Sequence, residues 1–465
     1  MTGSSEVLVI KPFGWRFTAP LLLGSTLNPI NSSMLATALV GIGVDFQRGP
    51  GATASLVSVL YLCSAVMQPT MGKLSTVFGP RRVFLAGAAI LAVAGVIGII
   101  APTFGFLLLS RALIGVGTAA AYPTAMALVR RRADRLGTGV PNRVLGNFSI
   151  AAQITLVMGL PLGGLLSGAF GWRALFAVNI PLAVITLVFT FYGVEKDSLE
   201  PPEGGGRLLR ALDIPGIALF AGTIVSLLTF LSDLKTPTWW LVPTIVVLAA
   251  GLVSWERRAG RPLIDVRMLA KNTPLLRTYL RQLLIAMGIY ACLYGTSQWM
   301  EQSAGLSASV VGLILLPLSG LSIIIARLVS GRGWVRWPLI LAATALILGG
   351  ASMLFITSES SVVALLGMSL LLGCVNGFGN FANQAALYVQ TDAPDIAVAS
   401  GLSRTAAYIG AIFSSSLISI TFGTAATDNG LHTLGYALGG FGVTVLLLTV
   451  LDQRIPRSTK PDHSP

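Results

Sequence analysis

VFLAGAAILAVAGVIGIIA, residues 83–101, is separated only by Pro102 and Thr103 from FGFLLLSRALIGVGTAAAYPTAMAL, residues 104–128. Each run has about the roughly 20 residues that a helix needs to cross a hydrocarbon core of about 30 Å. So short a break admits only a turn, and the pair reads as two successive antiparallel membrane crossings. The same alternation fills the chain from Phe17 to Leu451. It predicts fourteen spans: 17–43, 52–71, 83–101, 104–128, 145–169, 173–194, 212–232, 239–255, 276–299, 308–329, 337–357, 361–388, 396–423 and 433–451. The expected fold class is therefore an all-α polytopic membrane protein.

Composition agrees. The chain is 54% hydrophobic and 11% charged, with a mean hydropathy of +0.79, values foreign to a water-soluble globule. A net charge of +13 would suit a nucleic-acid partner only if the basic residues formed one folded patch. They are instead dealt out by side. With the amino terminus inside, only Arg48, Arg173 and Lys235 fall outside and Arg111 within a span, and the other Lys and Arg side chains take cytoplasmic segments or the cytoplasmic ends of helices. This positive-inside bias, with an even span count, predicts a cytoplasmic-membrane protein with both termini in the cytoplasm. All eight tryptophans fall at or beside span ends, the headgroup level that the indole ring favours.

Breaks in hydropathy divide the chain into a cytoplasmic tail at 1–16, six spans at 17–194, a Pro- and Gly-rich linker at 195–211, a transmembrane hairpin at 212–255, a basic linker at 256–275, six spans at 276–451 and a tail at 452–465. Residues 1–16 are polar and basic and run straight into a full-length span, so no cleavable leader is expected. Two six-helix bundles around a mid-membrane site, with a hairpin inserted between them, is a transporter layout. No Walker-type loop is present, which argues against ATP-driven transport. His432 and His463 form no triad, and Cys63, Cys292 and Cys374 have no metal-ligand spacing, so neither catalysis, a metal nor a cofactor is expected.

Three motifs carry a family resemblance. Gly72-Lys-Leu-Ser-Thr-Val-Phe-Gly79-Pro-Arg81-Arg82 resembles the GxLxDrxGrr loop of the major facilitator superfamily, with Thr76 where that signature has Asp. Arg111-Ala-Leu-Ile-Gly115-Val-Gly117 is similar to its RxxxGxG motif. Gly159-Leu-Pro161-Leu-Gly163-Gly164, followed by FGWRALFAVNIPLA, resembles the antiporter motif of the fourteen-span drug/proton exporters, with its proline shifted by one position. What this implies is alternating access with gating and coupling roles for Gly72, Gly79, Arg81, Arg82, Arg111, Gly159, Pro161, Gly163 and Gly164. The alternative readings are a plain basic loop, a snorkelling Arg111 and static small-residue packing.

Proton-linked members of that branch carry an acid in span 1, where this chain has Asn31. An amide cannot exchange protons in the physiological range, and no acidic residue lies deep in a span. Glu301, at the outer end of span 9, is the best protonatable candidate; a solvated rim residue is the alternative.

Asn376, Asn380, Asn383 and Gln384 stand at offsets 0, 4, 7 and 8, a polar helical stripe that lipid would not accept. With Asn28, Asn31 and Ser32 of span 1 and Tyr290, Tyr294 and Gln298 of span 9, it predicts an uncharged, hydrogen-bonding and aromatic cavity; interhelical hydrogen bonding is the other use of such residues. The expected function is export of drug-like, amphipathic or lipophilic small molecules, conferring drug resistance, by a monomer in contact with membrane lipid and with protons as the candidate coupling ion. A dedicated exporter of one natural product or lipid, and a non-transporting receptor or scaffold, are the alternatives.

Overall fold

In the computed structural model the described residues are 13–35, 38–48, 50–197, 213–232, 237–260, 262–306, 308–423 and 426–458. They form helices α1 (Trp15–Leu35), α2 (Leu39–Asp45), α3 (Pro50–Phe78), α4 (Pro80–Ile99), α5 (Phe104–Ala119), α6 (Ala121–Arg135), α7 (Asn142–Phe170), α8 (Ala174–Ala177) and α9 (Asn179–Gly193). A further pair, α10 (Ile214–Ser232) and α11 (Leu241–Glu256), is followed by α12 (Val266–Lys271), α13 (Thr273–Gln302), α14 (Ala308–Arg332), α15 (Arg336–Met353), α16 (Val362–Gln390), α17 (Ile396–Phe422) and α18 (Asp428–Val450). Ten helical segments among the described residues are long and apolar enough to cross a membrane. Helices α1 and α13 fall outside that set because polar residues such as Asn28 and Asn31 in the one and Gln282 and Gln298 in the other lower their hydropathy.

Three expected spans are interrupted: 17–43 is divided between α1 and α2, and two others carry a local break at a proline within a segment that is still of membrane length. Proline removes the N–H that would bond four residues back and its ring crowds that carbonyl. Pro123 thus interrupts the 104–128 run between α5 and α6, and Pro181 interrupts the 173–194 run between α8 and α9. Starts are sharper. Pro80 opens α4 from Gly79, whose φ of 96° suits a residue without Cβ, and Asn272 Oδ1 accepts from Leu275 N at 3.2 Å to cap α13.

The packing has two halves. One core cluster (Leu27, Leu56, Leu91, Ile114 and Phe176 among its members) lies wholly within α1–α9, and another (Ile285, Trp299, Leu346, Leu372 and Leu434) wholly within α13–α18. A third joins them, with Phe17, Tyr122, Met126 and Phe148 meeting Ile325, Phe381, Tyr388 and Ile396. It lies toward the end that carries Arg81, Arg82 and Arg130 to Arg135, here called the basic end. The α10 and α11 pair packs beside this junction: Phe220, Ile224 and Leu228 share a cluster with Ala65 of α3 and Tyr408 of α17.

Small residues set how closely the halves approach. A Cβ on Gly72 of α3 would stand 2.7 Å from the Ala397 carbonyl oxygen, and one on Gly401 of α17 would stand 2.6 Å from that of Gln68. Backbone therefore touches backbone across the junction.

Candidate central cavity

A cavity of about 120 Å³ lies between the halves, above the joining cluster. The first half contributes Pro29, Tyr122, Phe148, Ser149 and Ala152. The second contributes Gln282, Ala286, Ile289 and Tyr290 of α13, Asn376, Asn380 and Gln384 of α16, and Ser403, Arg404 and Ala407 of α17. No Asp or Glu is among these lining residues.

Its floor is tied shut from both sides. Tyr388 Oη donates to the Met126 carbonyl at 3.0 Å, and Tyr122 meets Phe148 edge-on with centroids 6.4 Å apart. On the α17 side, Thr405 Oγ1 donates to Ala65 O at 2.6 Å, and Tyr408 Oη donates to Asn28 Oδ1 at 2.8 Å.

The amide stripe of α16 divides. Asn376, Asn380 and Gln384 reach the cavity, and Asn380 donates to Asn376 Oδ1. Asn383 is 1% exposed and turns into its own half, where its amide donates to Thr278 O at 3.0 Å and Gln282 Oε1 at 2.9 Å. Of the tyrosines, Tyr290 lines the cavity. Tyr294 stacks on it at 6.0 Å and, like Gln298, is exposed one and two turns farther from the basic end.

The polar residues expected from span 1 sit outside the lining, to which that helix contributes Pro29. Asn28 is buried, donating to Ser64 Oγ and Thr118 Oγ1, each at 2.8 Å. Asn31, at 2% exposure, donates to Asn179 Oδ1 at 2.6 Å and Leu27 O at 2.9 Å, within the first half. Ser32 Oγ donates back to the Asn28 carbonyl at 3.0 Å.

Arg111 neither snorkels nor enters the cavity. Its Nε donates to Leu56 O at 3.1 Å and both terminal nitrogens donate to Asn31 O at 3.4 Å. Those carbonyls from α3 and α1 satisfy a charge that hydrocarbon would otherwise penalise by several kcal/mol. Glu301 falls in the last turn of α13, and its side chain, like that of Pro161 in α7, lies outside the described residues. Gly159 abuts Ser33 with no room for a Cβ, whereas nothing approaches the Cβ position of Gly164, and Gly163 is buried.

Around Gly79 the structure supplies an acid that the motif lacks at Thr76. Asp197, beyond α9, accepts from Arg81 N at 3.3 Å and Arg82 N at 2.9 Å. Arg131 pairs with the same carboxylate at 3.0 Å, and Arg81 Nη2 donates to Phe191 O at 2.8 Å. A carboxylate against the first N–H groups of α4 meets the positive end of the helix dipole. Thr76 Oγ1 only donates back to Lys73 O, at 2.8 Å.

One expectation is corrected outright. The lining was expected to be uncharged, but Arg404 of α17 lies in it, with its guanidinium carbon 3.8 Å from the centroid of the Tyr122 ring. In the sequence Arg404 reads as a cytoplasmic helix end. Its position, eight residues past Ile396 or about 12 Å of helix rise, was the signal available.

Comparison with known proteins fits this architecture. The family model described as Major Facilitator Superfamily matches residues 21–415. The chain is 33% identical over 439 residues to the uncharacterized MFS-type transporter YwoD of Bacillus subtilis (strain 168), covering 93% of this chain and 96% of that one. It is 29% identical over 395 residues to the lincomycin resistance protein of Streptomyces lincolnensis, covering 82% and 79%. Its fold resembles the proton:xylose symporter XylE bound to 6-bromo-6-deoxy-D-glucose, with a TM-score of 0.65 at 13% identity over 95% of this chain and 96% of that one.

Proposed function

This chain belongs to the Major Facilitator Superfamily, and from that premise we propose that it is a secondary exporter of amphipathic, drug-like small molecules working by alternating access. It is a transporter and not an enzyme. The observation that carries the proposal is a cavity lined by both halves and closed at one end by a cluster that both halves build. A rigid-body rocking that parts Tyr388 from Met126 would open the cavity at the basic end.

By the positive-inside bias the basic end faces the cytoplasm. The cavity is then closed to the cytoplasm, the state in which an exporter releases its cargo. Efflux also accords with a relative that bears the name of a resistance protein. In this reading the α10 and α11 pair is an added transmembrane hairpin, giving the fourteen-span form.

Proton linkage is the expected drive. The test is solute uptake into inverted vesicles with and without an imposed pH gradient, after expression in a host lacking other efflux systems. Gradient-dependent uptake supports antiport. Gradient-independent uptake makes the protein a facilitator, in keeping with a cavity whose described lining residues include no carboxyl to carry the proton. Failure of an Asn380→Cys thiol, on a background without Cys63, Cys292 and Cys374, to react from either face of the membrane would remove alternating access itself.

A further inference from the structure

We propose that Arg404 makes the central cavity selective for organic anions: amphipathic solutes that pair a carboxylate or sulfonate with an aromatic or apolar body. This deepens the exporter reading and rests on it.

Arg111 of α5, Arg281 of α13 and Arg404 of α17 are satisfied in different ways. Arg111 is enclosed by the carbonyls of Leu56 and Asn31. Arg281 is buried against Asp452, with a 3.6 Å contact, and its other donors reach Thr278 Oγ1 at 2.6 Å and Leu448 O at 3.3 Å. Arg404 pairs with no carboxylate among the described residues, and the face of Tyr122 is its charge partner. An aromatic face offsets part of the cost of a guanidinium in a low-dielectric site, yet leaves most of its five N–H donors available.

The surroundings define what would complete it. A carboxylate or sulfonate presents two anionic oxygens side by side that take two parallel N–H donors from a guanidinium, a match that a neutral carbonyl meets only in part. Asn380 and Gln384 offer further amide donors, while Phe148, Ile289 and Tyr290 give the attached apolar body a surface. Among the described lining residues no acidic side chain neutralises Arg404 or attracts a cation. A cationic solute would meet an unopposed like charge. The void of about 120 Å³ is narrow beside the roughly 300–1,000 Å³ of typical small-molecule sites. The cavity must therefore widen toward the end away from Tyr122 when loaded.

The test compares solutes that share one ring system: naphthalene-1-sulfonate, 1-naphthaleneacetate, the uncharged 1-naphthaleneacetamide and the cationic 1-naphthylmethylamine. Binding is read as thermal stabilisation of the full chain in nanodiscs of phosphatidylcholine, whose net neutrality keeps the lipid from sorting the probes by charge. The expected result is that both anions bind at least tenfold more tightly than the amide and that the amine does not bind. Arg404→Gln should bring anions and amide to equal affinity, and Arg404→Lys should restore part of the preference. Arg336→Gln, at a half-buried arginine outside the cavity that donates to Val450 O, should leave the preference intact. Equal binding of amide and anions by the wild type, an anion preference that survives Arg404→Gln, or no binding of either anion overturns the inference. Thiol accessibility of Asn380→Cys without ligand reports alternating access separately. Intact alternation without anion preference therefore sinks this inference alone.

Discussion

Tyr408 Oη of α17 donates a hydrogen bond to Asn28 Oδ1 of α1 at 2.8 Å, in a site where the Asn28 amide already donates to Ser64 and Thr118. One asparagine thus uses both amide N–H groups and its carbonyl oxygen among four helices of both halves. The bond exists only while the halves are together at the basic end, so it favours that state without affecting the other. Tyr408→Phe removes the donor and keeps the ring that packs near Tyr61. A net hydrogen bond is worth about 1 kcal/mol, so the population open at the basic end should rise roughly fivefold. Labelling of Ala385→Cys from that side, on a background free of the native cysteines, measures it; an unchanged rate would deny the bond any role in closure.

The glycine pair makes a stronger wedge. Ala at Gly72 or Gly401 would drive its Cβ against a backbone carbonyl at 2.7 or 2.6 Å, and a carbonyl within a helix retreats only if the helix does. Overpacking of this kind costs about 1–3 kcal/mol, all of it charged to the closed junction of α3 and α17. Either substitution should raise labelling of Ala385→Cys by about tenfold or more. A rate at or below the wild type would mean that the two helices slide past the added methyl group instead of parting.

Much of this architecture is legible in the sequence, and the unreadable part has a geometric cause. Span-length hydropathy finds the helices, because lipid imposes its thickness on every crossing. The α16 stripe shows where the reading stops. At about 100° per residue, Asn383 lies roughly 20° to one side of Asn376, whereas Gln384 lies roughly 80° to the other. The cavity takes the second part of that arc and α13 takes the first. Periodicity alone cannot divide an arc between two neighbours. Arg404 escaped for a related reason: depth in a span is countable, but whether the side chain returns to the interface or faces a cavity depends on partner helices. Asp197 had no local signature at all, since its partners Arg81, Arg82 and Arg131 are far away in the chain.

Asp197 should be a stability residue. Its carboxylate is 1% exposed and Arg131 is 28% exposed, so the two α4 N–H groups carry more of its value than the half-open ion pair. Asp197→Ala should lower the stability of the purified protein by about 1–2 kcal/mol, the range of a lost cap at a helix start. Arg131→Gln should cost less. In the double variant most of the Asp197→Ala loss should persist, as read by thermal unfolding in detergent. If Arg131→Gln alone reproduces the whole loss, the ion pair is the dominant interaction.

Glu256 closes α11, just past the 239–255 run, where its carboxyl faces that of Asp213. Asp213 is well served: it accepts from Trp255 Nε1 at 2.7 Å, Leu263 N at 2.9 Å and Gly216 N at 3.2 Å. Glu256 has Ile264 N at 3.4 Å. Burial first, and then the adjacent Asp213, push the Glu256 carboxyl up to about 7, against the pull of Ile264 N and Lys73. In the unfolded chain it titrates near 4.3. The folded state therefore holds a proton that the unfolded state has lost between those values, so stability from this group falls as pH rises from about 4.3 to about 7 and stays lost above. Glu256→Gln keeps a neutral acceptor and a donor toward Asp213 and should flatten that slope. The variant should match the wild type near pH 4.5 and exceed it in thermal stability at pH 8, with the docking of α10 and α11 on α3 and α17 unchanged. A wild type whose advantage over the variant grows above pH 7 would show that the ionised carboxylate, and not the shared proton, holds this corner together.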